Sequence, residues 1–410
     1  MDFNDTPEEA AFRAEARAFL SANAQPKAGS RPTLRQGGMD AAGVEQAKDW
    51  QAKKADAGMA GLTWPKKFGG REASPILQVI YNQEEEDFTV PRGLFEIGLG
   101  MCIPTMMAYA KPEQLDRYVQ PALRGEEVWC QLFSEPAGGS DLAALRTRAE
   151  PDGDDWVING QKIWTSGAHL SDFGIVVVRT DPNKPKHEGL TFFFLDMKSP
   201  GVEIRPIHQM SGARHFNEVF FTDVRIPDAQ RLGGVGQGWK VSLTTLMNER
   251  LAVGETPRPD VDDLLALSRS VTLDGEPAIR DSAVRERIAD LYARSQGLKF
   301  TRFRTMTALS RGDTPGPENS IAKLVNGTKL QDIASFGLDL IGSAGLVVDD
   351  DLTEAYGMFQ SALLSSPSLR IAGGSDEILR NIIAERVLGL PPDIRADKGI
   401  PFNRVPTGTR

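Results

Sequence analysis

Along the first 125 residues, apolar positions recur every three to four residues, the spacing of helices that bury one face. Thr6-Pro7-Glu8-Glu9 opens the series with a hydroxyl at the cap, proline at the first helical position and glutamate at the third, a capping box. Phe12, Ala16, Phe19 and Leu20 follow at helical spacing. Helical patterns resume through 42–57, 75–88, 94–109 and 112–123, interrupted by a loop rich in Gly, Pro and Arg around 25–38 and a break at 61–74. Residues 1–125 are therefore expected to form a helical domain.

The pattern changes at Val128. Trp156-Val-Ile-Asn-Gly-Gln-Lys-Ile-Trp164 sets Asn159-Gly160 between two apolar runs, the signal of a tight hairpin whose turn needs positive backbone angles. Runs rich in β-branched and aromatic residues at 173–178, 190–195, 202–207 and 218–224 complete a β domain over 126–234. Gly233-Gly-Val-Gly-Gln-Gly238 fails the spacing of a dinucleotide-binding turn and has no parallel βαβ pattern around it, so it reads as a flexible crossover. Helical patterns return at 239–252, 283–309, 321–341 and 376–388. In the last, Ser375 caps a stripe of Ile378, Leu379, Ile382, Ile383 and Val387. Residues 235–395 thus suit a helical bundle, and the tail 396–410 is expected to be poorly ordered.

Composition narrows the partners. With a formal net charge of −9 and no long basic block, nucleic acid and anionic membrane are disfavoured, although local basic residues can still hold a polyanionic ligand. No apolar run is long enough to span a bilayer, and the start, Met-Asp-Phe-Asn-Asp, lacks the layout of a signal peptide. Two cysteines, Cys102 and Cys130, allow neither a disulfide framework nor a cysteine metal site, and a cytoplasmic setting is expected. His169, His187, His208 and His215 show no metal or triad spacing.

The stretch with most chemical interest is 129–141. A short apolar run ends in Ser134, Glu135 and Pro136, followed by a glycine pair, so a buried strand empties into a loop whose backbone can approach a ligand. The helix–β–helix order then places this stretch among motifs that together resemble the acyl-CoA dehydrogenase family. They are Trp64-Pro65 with Phe68-Gly69-Gly70, Phe133-Ser-Glu-Pro-Ala-Gly-Gly-Ser-Asp141, and Asn159-Gly-Gln-Lys-Ile-Trp-Thr-Ser166. Asn217-Glu-Val-Phe-Phe-Thr-Asp-Val-Arg-Ile-Pro227, Asn248-Glu-Arg250, Ile371-Ala-Gly-Gly-Ser-Asp-Glu-Ile378 and Ala384-Glu-Arg-Val-Leu-Gly-Leu-Pro391 follow in order along nearly the whole chain.

The resemblance implies an α+β fold, mainly α: an N-terminal helical domain, a central β-barrel-like domain and a C-terminal four-helix bundle. It implies non-covalent FAD, an acyl-CoA thioester, α,β-dehydrogenation to a 2-enoyl-CoA with hydride passing to the flavin, and electrons leaving to an electron-transferring flavoprotein. A homotetramer or dimer of dimers is implied, with mixed tetramers known among steroid side-chain relatives. Carried over by position, Phe133, Ser134, Trp164 and Ser166 should contact the flavin, as should Ser375 and Glu377. Arg269 falls where relatives lend an arginine to a neighbour's FAD pyrophosphate, across an insertion in spacing. Ser140 matches the pantetheine contact, which leaves Glu135 and Asp141 to shape the loop.

For the base, many relatives carry a glutamate where this chain has Gly373. Others carry it on an earlier helix immediately before an arginine, and here that pair is Glu249-Arg250. Glu249 is therefore the expected base for the α-proton, ionised when free and raised in pKa when substrate excludes water. Helical geometry sets Leu243, Leu246, Met247 and Leu251 on one face with Arg250 among them, which suggests a buried charge partner on the substrate side, while Glu249 projects away. Asp339 and Ser343 depart from the residues many relatives place near the neighbour's FAD. Alternative readings are a flavin oxidase or monooxygenase on the same scaffold, against which Glu249 argues, and a flavin-poor structural subunit.

Overall fold

The computed structural model describes residues 5–27, 39–252, 259–310, 316–317, 319–347, 352, 354–395 and 397–406. The first helix, α1 (Pro7–Asn23), starts as its sequence dictates: Thr6 Oγ1 accepts from the Glu9 N–H while the Glu9 carboxylate accepts from the Thr6 N–H. Phe12, Ala16 and Leu20 face inward against α2 (Ala41–Asp56) and α3 (Pro75–Glu85). Glu84 on α3, only 4% exposed, is held between Arg13 and Arg17 of α1 at 2.9 and 2.6 Å. Two short strands, β1 (Gln25–Pro26) and β2 (Phe88–Thr89), pair nearby. A π-helical turn at Gly98–Cys102 then leads into α4 (Ile103–Tyr109), and α5 (Pro112–Leu123) completes the helical layer.

The β domain comprises β3 (Trp129–Leu132), β4 (Arg148–Asp152), β5 (Asp155–Ser166), β6 (Phe173–Arg179), β7 (Leu190–Asp196), β8 (Val202–Pro206), β9 (Phe216–Pro227) and β10 (Arg231–Leu232). Its strand order is β10-β7-β6-β4-β5-β9-β8, with β3 lying parallel along β6 from Trp129↔Phe173 to Leu132↔Val176. Strand β6 shows how the domain sits in the molecule. Ile175 and Val177 join the core shared with α4, α5 and Val241, whereas Val176 and Val178 join the interior made with Phe193, Leu195, Val219 and Phe221. Burial on both faces explains why this strand reads as one continuous apolar run.

The C-terminal part contains α6 (Gly238–Ala252), α7 (Val261–Ser270), the small pair β11 (Thr272–Leu273) and β12 (Glu276–Pro277), α8 (Ser282–Ser310), α9 (Asn319–Ile341), α10 (Met358–Leu369) and α11 (Asp376–Ile382). Its core gathers Leu264, Leu267, Ile288, Leu291, Ile333 and Phe359. Helices α7 and α10 are not among the elements that periodicity predicts. The first carries a box between Asp260 and Asp263. The second is apolar and serine-rich, with a proline near its end, and so has no polar contrast to give it away.

Five expectations are corrected. Asn159-Gly160 does not turn a hairpin: it lies inside β5, at a register slip against β9, and the turn falls at Gly153-Asp154 between β4 and β5. The glycine answers a different need, since a Cβ there would meet Thr147, just before β4, at 2.6–2.8 Å. The buried stripe of α6 is Gly238, Val241, Ser242 and Thr245, and Leu243 and Met247 face outward. The glycine-rich segment before α6 is tied down, its Gly236 N–H donating to Thr191 Oγ1 at 3.1 Å. Finally, 397–406 packs back on the β domain instead of trailing away. The helix from Asp376 also gives way at Ile382 to a π-helical turn over Ile383–Val387.

Candidate functional site

The loop that leaves β3 closes on itself through paired backbone bonds between Glu135 and Gly138 (2.9 and 3.0 Å). Its rigidity comes from the Glu135 carboxylate, which accepts from the N–H groups of Arg146 and Thr147 at 2.6 and 2.9 Å and from Lys162 Nζ at 2.9 Å. Lys162 is fully buried and donates also to the Phe133 carbonyl at 3.0 Å. Burial pushes the Glu135 carboxyl up, but the ammonium and the donated hydrogen bonds outweigh it and hold the group below the usual carboxylate range. Burial pulls Lys162 down, opposed by Glu135. Glu135 is thus a structural carboxylate. Lys162 had been assigned no role from sequence, although it shares strand parity with the inward-facing Trp156 and Ile158.

This network fixes Ser134, whose carbonyl accepts from the Ile163 N–H at 2.9 Å and so draws β5 alongside. Immediately afterwards the β5–β9 register slips between Lys162 and Thr165. Trp164 sits in that bulge with φ 59°, and its indole is 54% exposed, touching Phe216 edge-on at 5.9 Å. A left-handed conformation costs a bulky residue about 1–2 kcal/mol, so the surrounding sheet imposes it. Ser166 ends the strand opposite Phe216. The Ser134 and Ser166 side chains are half-buried, and among the described residues neither hydroxyl has a hydrogen-bond partner; the buried Thr165 Oγ1 is likewise unpaired. An exposed indole on the strand that is tied to Ser134 and ends at Ser166 fits a flat, hydrogen-bonding heterocycle such as a flavin ring.

Other residues fall into place around this end. The Phe133 ring is buried in the core against Phe192, which leaves its backbone at the loop. Ser140 is exposed on the returning limb of the loop; a Cβ on its neighbour Gly139 would lie 4.0 Å from Ser134 Oγ. Asp141 is exposed and paired with Lys186 at 2.7 Å. Helix α6 presses on β7 at Gly238, where a Cβ would meet the Leu190–Thr191 backbone at 2.7 Å. Thr245 Oγ1 meets Thr105 Oγ1 on α4 at 2.9 Å. Glu249 and Arg250 fall near the end of α6, and their side chains lie outside the described residues.

The remaining candidates stand apart. Ser375 caps α11, accepting from the Ile378 N–H at 3.4 Å, with Glu377 exposed in the first turn. Its own N–H and the Ser375 hydroxyl lower the Glu377 pKa. Arg269 is exposed in the last turn of α7, and Asp339, Ser343 and Gly373 are exposed as well. Among the described residues, no hydrogen bond or ion pair joins these positions to the Ser134–Trp164 group. His169 binds Asn217 Oδ1 through its ring Nδ1 at 3.1 Å. Cys102 and Cys130 are free and buried, and burial pushes the Cys130 thiol up to about 12. Among the described residues no group of three His, Cys, Asp or Glu is placed to hold a metal, and no helix is long and apolar enough to cross a membrane.

A helical domain, a β domain and a helical bundle, with an exposed indole on the strand tied to Ser134, are the setting of a flavin-dependent oxidoreductase. The chain belongs to the acyl-CoA dehydrogenase family, and its cofactor is FAD. Residues 6–126, 130–224 and 236–388 match the N-terminal, middle and C-terminal domains of acyl-CoA dehydrogenase respectively. Two relatives from Mycobacterium tuberculosis are named acyl-CoA dehydrogenases. IpdE1 is 35% identical over 94% of this chain and 98% of its own, and FadE34 is 36% identical over 92% of this chain. The match spans about half of FadE34, 51% of its length. Among solved structures, a Tcur3481-Tcur3483 steroid ACAD superposes with a TM-score of 0.81 at 27% identity, covering 96% of this chain and 100% of that one. The ChsE4-ChsE5 complex from Mycobacterium tuberculosis gives 0.75 at 25% identity, covering 96% and 100%.

Proposed function

We propose that this chain dehydrogenates a CoA thioester between its α and β carbons, giving a trans-2-enoyl-CoA, with a bulky, ring-containing acyl group as substrate. The observation that carries the chemistry is Trp164, an exposed indole held in a strained bulge of the strand that is tied to Ser134 and ends at Ser166. Those three, with the Phe133 backbone, would seat the isoalloxazine ring. Ser375, Glu377 and Arg269 would serve the rest of the FAD, Arg269 from a neighbouring subunit. Bound there, FAD supplies the acceptor for the β-hydrogen leaving as hydride.

The chain's own residues then have distinct tasks. Glu249 takes the α-proton, a role supported by its place immediately before Arg250 on α6. Ser140 meets the pantetheine arm, and Arg250 serves the substrate side. The pinned 134–147 loop orients the thioester without taking part in proton transfer. The ring-containing acyl group is supported by the steroid ACAD neighbour. That neighbour and the ChsE4-ChsE5 complex, with the exposed Arg269 and Ile371, support an oligomer that is a homotetramer or a mixed tetramer. Electrons would pass to an electron-transferring flavoprotein, in a cytoplasmic setting.

Anaerobic mixing of the FAD-loaded protein with acyl-CoAs of graded length, branching and ring content tests the reading. The ring-containing thioesters should bleach the flavin absorbance fastest. Bleaching by none of them, or oxygen consumption without another acceptor, would defeat it in favour of a structural subunit or an oxidase.

A further inference from the structure

Residues 397–406 return to the β domain and dock on the loop that follows β6. The Phe402 N–H donates to the Lys184 carbonyl at 2.9 Å and the Asn403 N–H to the Pro182 carbonyl at 3.0 Å. Pro401 bridges Pro185, and the Asn403 amide donates to Asn183 Oδ1 at 2.9 Å. The segment is therefore received by backbone pairing, which fixes its register as well as its presence.

Two side chains carry this contact through to the loop that bears Ser140. Arg179, at the end of β6 and only 4% exposed, has its guanidinium carbon 3.5 Å from the centroid of the Phe402 ring. The same guanidinium donates to the carbonyls of Ala143, Leu145 and Lys186 at 2.5, 3.0 and 3.2 Å. Lys186, its side chain largely buried, pairs on one side with Asp397 of the tail and on the other with Asp141, the residue after Ser140. Burial alone would pull the Lys186 pKa down; the two carboxylates outweigh it and raise it. A planar cation stacked on an aromatic ring and a shared ammonium thus join three segments distant in sequence. None of these groups is needed to seat a flavin or move a proton.

We infer that the C-terminal segment is a strap that positions the thioester-binding loop, with Phe402 and Asp397 acting through Arg179 and Lys186 on residues 138–144. The inference rests on Ser140 contacting the pantetheine arm. Phe402, Asp397, Arg179 and Lys186 are positioning residues in this scheme, and the loop they order is the one that must be held in place before the thioester is aligned with the base.

The test uses the full-length, FAD-loaded protein with Phe402→Ala, Asp397→Asn and the conservative Phe402→Tyr. Amide hydrogen exchange is followed without substrate, and turnover is measured across acyl-CoA concentrations. In Phe402→Ala, amides of 138–145 should exchange about tenfold faster while those of 173–178 and 190–195 keep their rates. The half-saturating acyl-CoA concentration should rise roughly three- to tenfold with kcat within about twofold of the parent. Asp397→Asn should move the same quantities less, because its pair is partly solvated, and Phe402→Tyr should restore them. Unchanged exchange in 138–145, exchange raised across the whole β domain, or loosening of the loop without a change in half-saturation would each overturn the strap. A parent protein that no acyl-CoA reduces would instead defeat the functional reading, and the exchange pattern by itself would then decide whether the strap orders the loop.

Discussion

The two ends of the proposed flavin site are built in opposite ways. At the β-domain end the elements are anchored within the chain: Glu135 and Lys162 are buried partners and Ser134 is tied to Ile163, while the indole of Trp164 is left open. At the bundle end the candidate residues stand on solvent-facing turns, Arg269 and Glu377 among them. The same part of the chain exposes large apolar side chains such as Ile371 and Leu388, 70% and 66% exposed. Such side chains suit the proposed oligomer, in which another chain would cover them. In that proposal the first half-site would be complete in a single subunit, and the second would be what a subunit contributes to the assembly. Helix α6 is the first helix after the β domain, its first turn pressed on β7 and its last carrying Glu249.

The sharpest way to break this comparison is at that junction. Glu249→Gln should lower the rate of flavin reduction by acyl-CoA about 10²- to 10⁴-fold, the range expected for removing a general base, while FAD content is unchanged. Stopped-flow bleaching under anaerobic conditions reads the first and the visible spectrum the second. Near-parental bleaching would move the base to another residue.

Next in size is the anchor itself. Glu135→Gln leaves the Lys162 ammonium without its counter-charge in a fully buried position, and breaking such a pair costs about 3–5 kcal/mol. The denaturation midpoint should fall clearly and FAD should be released earlier in the transition than in the parent. Replacing both partners with apolar residues should recover much of the loss, since the pair is a local arrangement and no part of the chemistry.

Trp164 separates strain from binding. Trp164→Gly removes the left-handed penalty, about 1–2 kcal/mol, and with it the stacking surface. The apoprotein should become more heat-stable, and FAD affinity should fall roughly tenfold, in line with an aromatic contact of about 1 kcal/mol or slightly more. Titration of apoprotein with FAD, followed by flavin fluorescence, measures the second effect. Unchanged affinity would show that the seat lies elsewhere.

What the sequence revealed and what it hid follow the same division. The capping box at Thr6 and the runs of β6 and β7 were legible because local spacing alone determines them. Asn159-Gly160 misled, because a glycine required by the approach of Thr147 carries the same letters as a glycine required by a turn. The stripe on α6 misled in the other direction. Its buried face is made of Gly238, Val241, Ser242 and Thr245, small and hydroxylic residues that suit close packing on β7 and α4, while the leucine and methionine point outward. The site residues were legible only through the family motifs. The physical reason for Trp164 and the role of Lys162 needed the register of β5 against β9 and the fold of the loop above it.

The smallest effect is expected at the turn between β9 and α6, where the two regions are joined covalently. Asp228 is bonded by Arg231 at 2.8 and 2.9 Å and by the indole N–H of Trp156 at 2.8 Å, and Gln114 of α5 reaches the Ala229 carbonyl. Hydrogen bonding from Arg231, with help from Trp156, brings its pKa down to about 2. A depressed carboxylate contributes stability that is fully present above its unfolded value near 4 and is lost as pH falls through about 2. Because the side chain is 44% exposed, screening reduces that contribution to on the order of 0.5–1 kcal/mol. Asp228→Asn should therefore lower stability slightly at neutral pH and flatten its decline between about pH 4 and 2, as followed by urea midpoints across that window. If the parent and variant curves instead stay parallel down to pH 2, the Asp228–Arg231 pair contributes nothing to the joint. The coupling of the β domain to the bundle would then rest on the packing of α6 against β7 and α4.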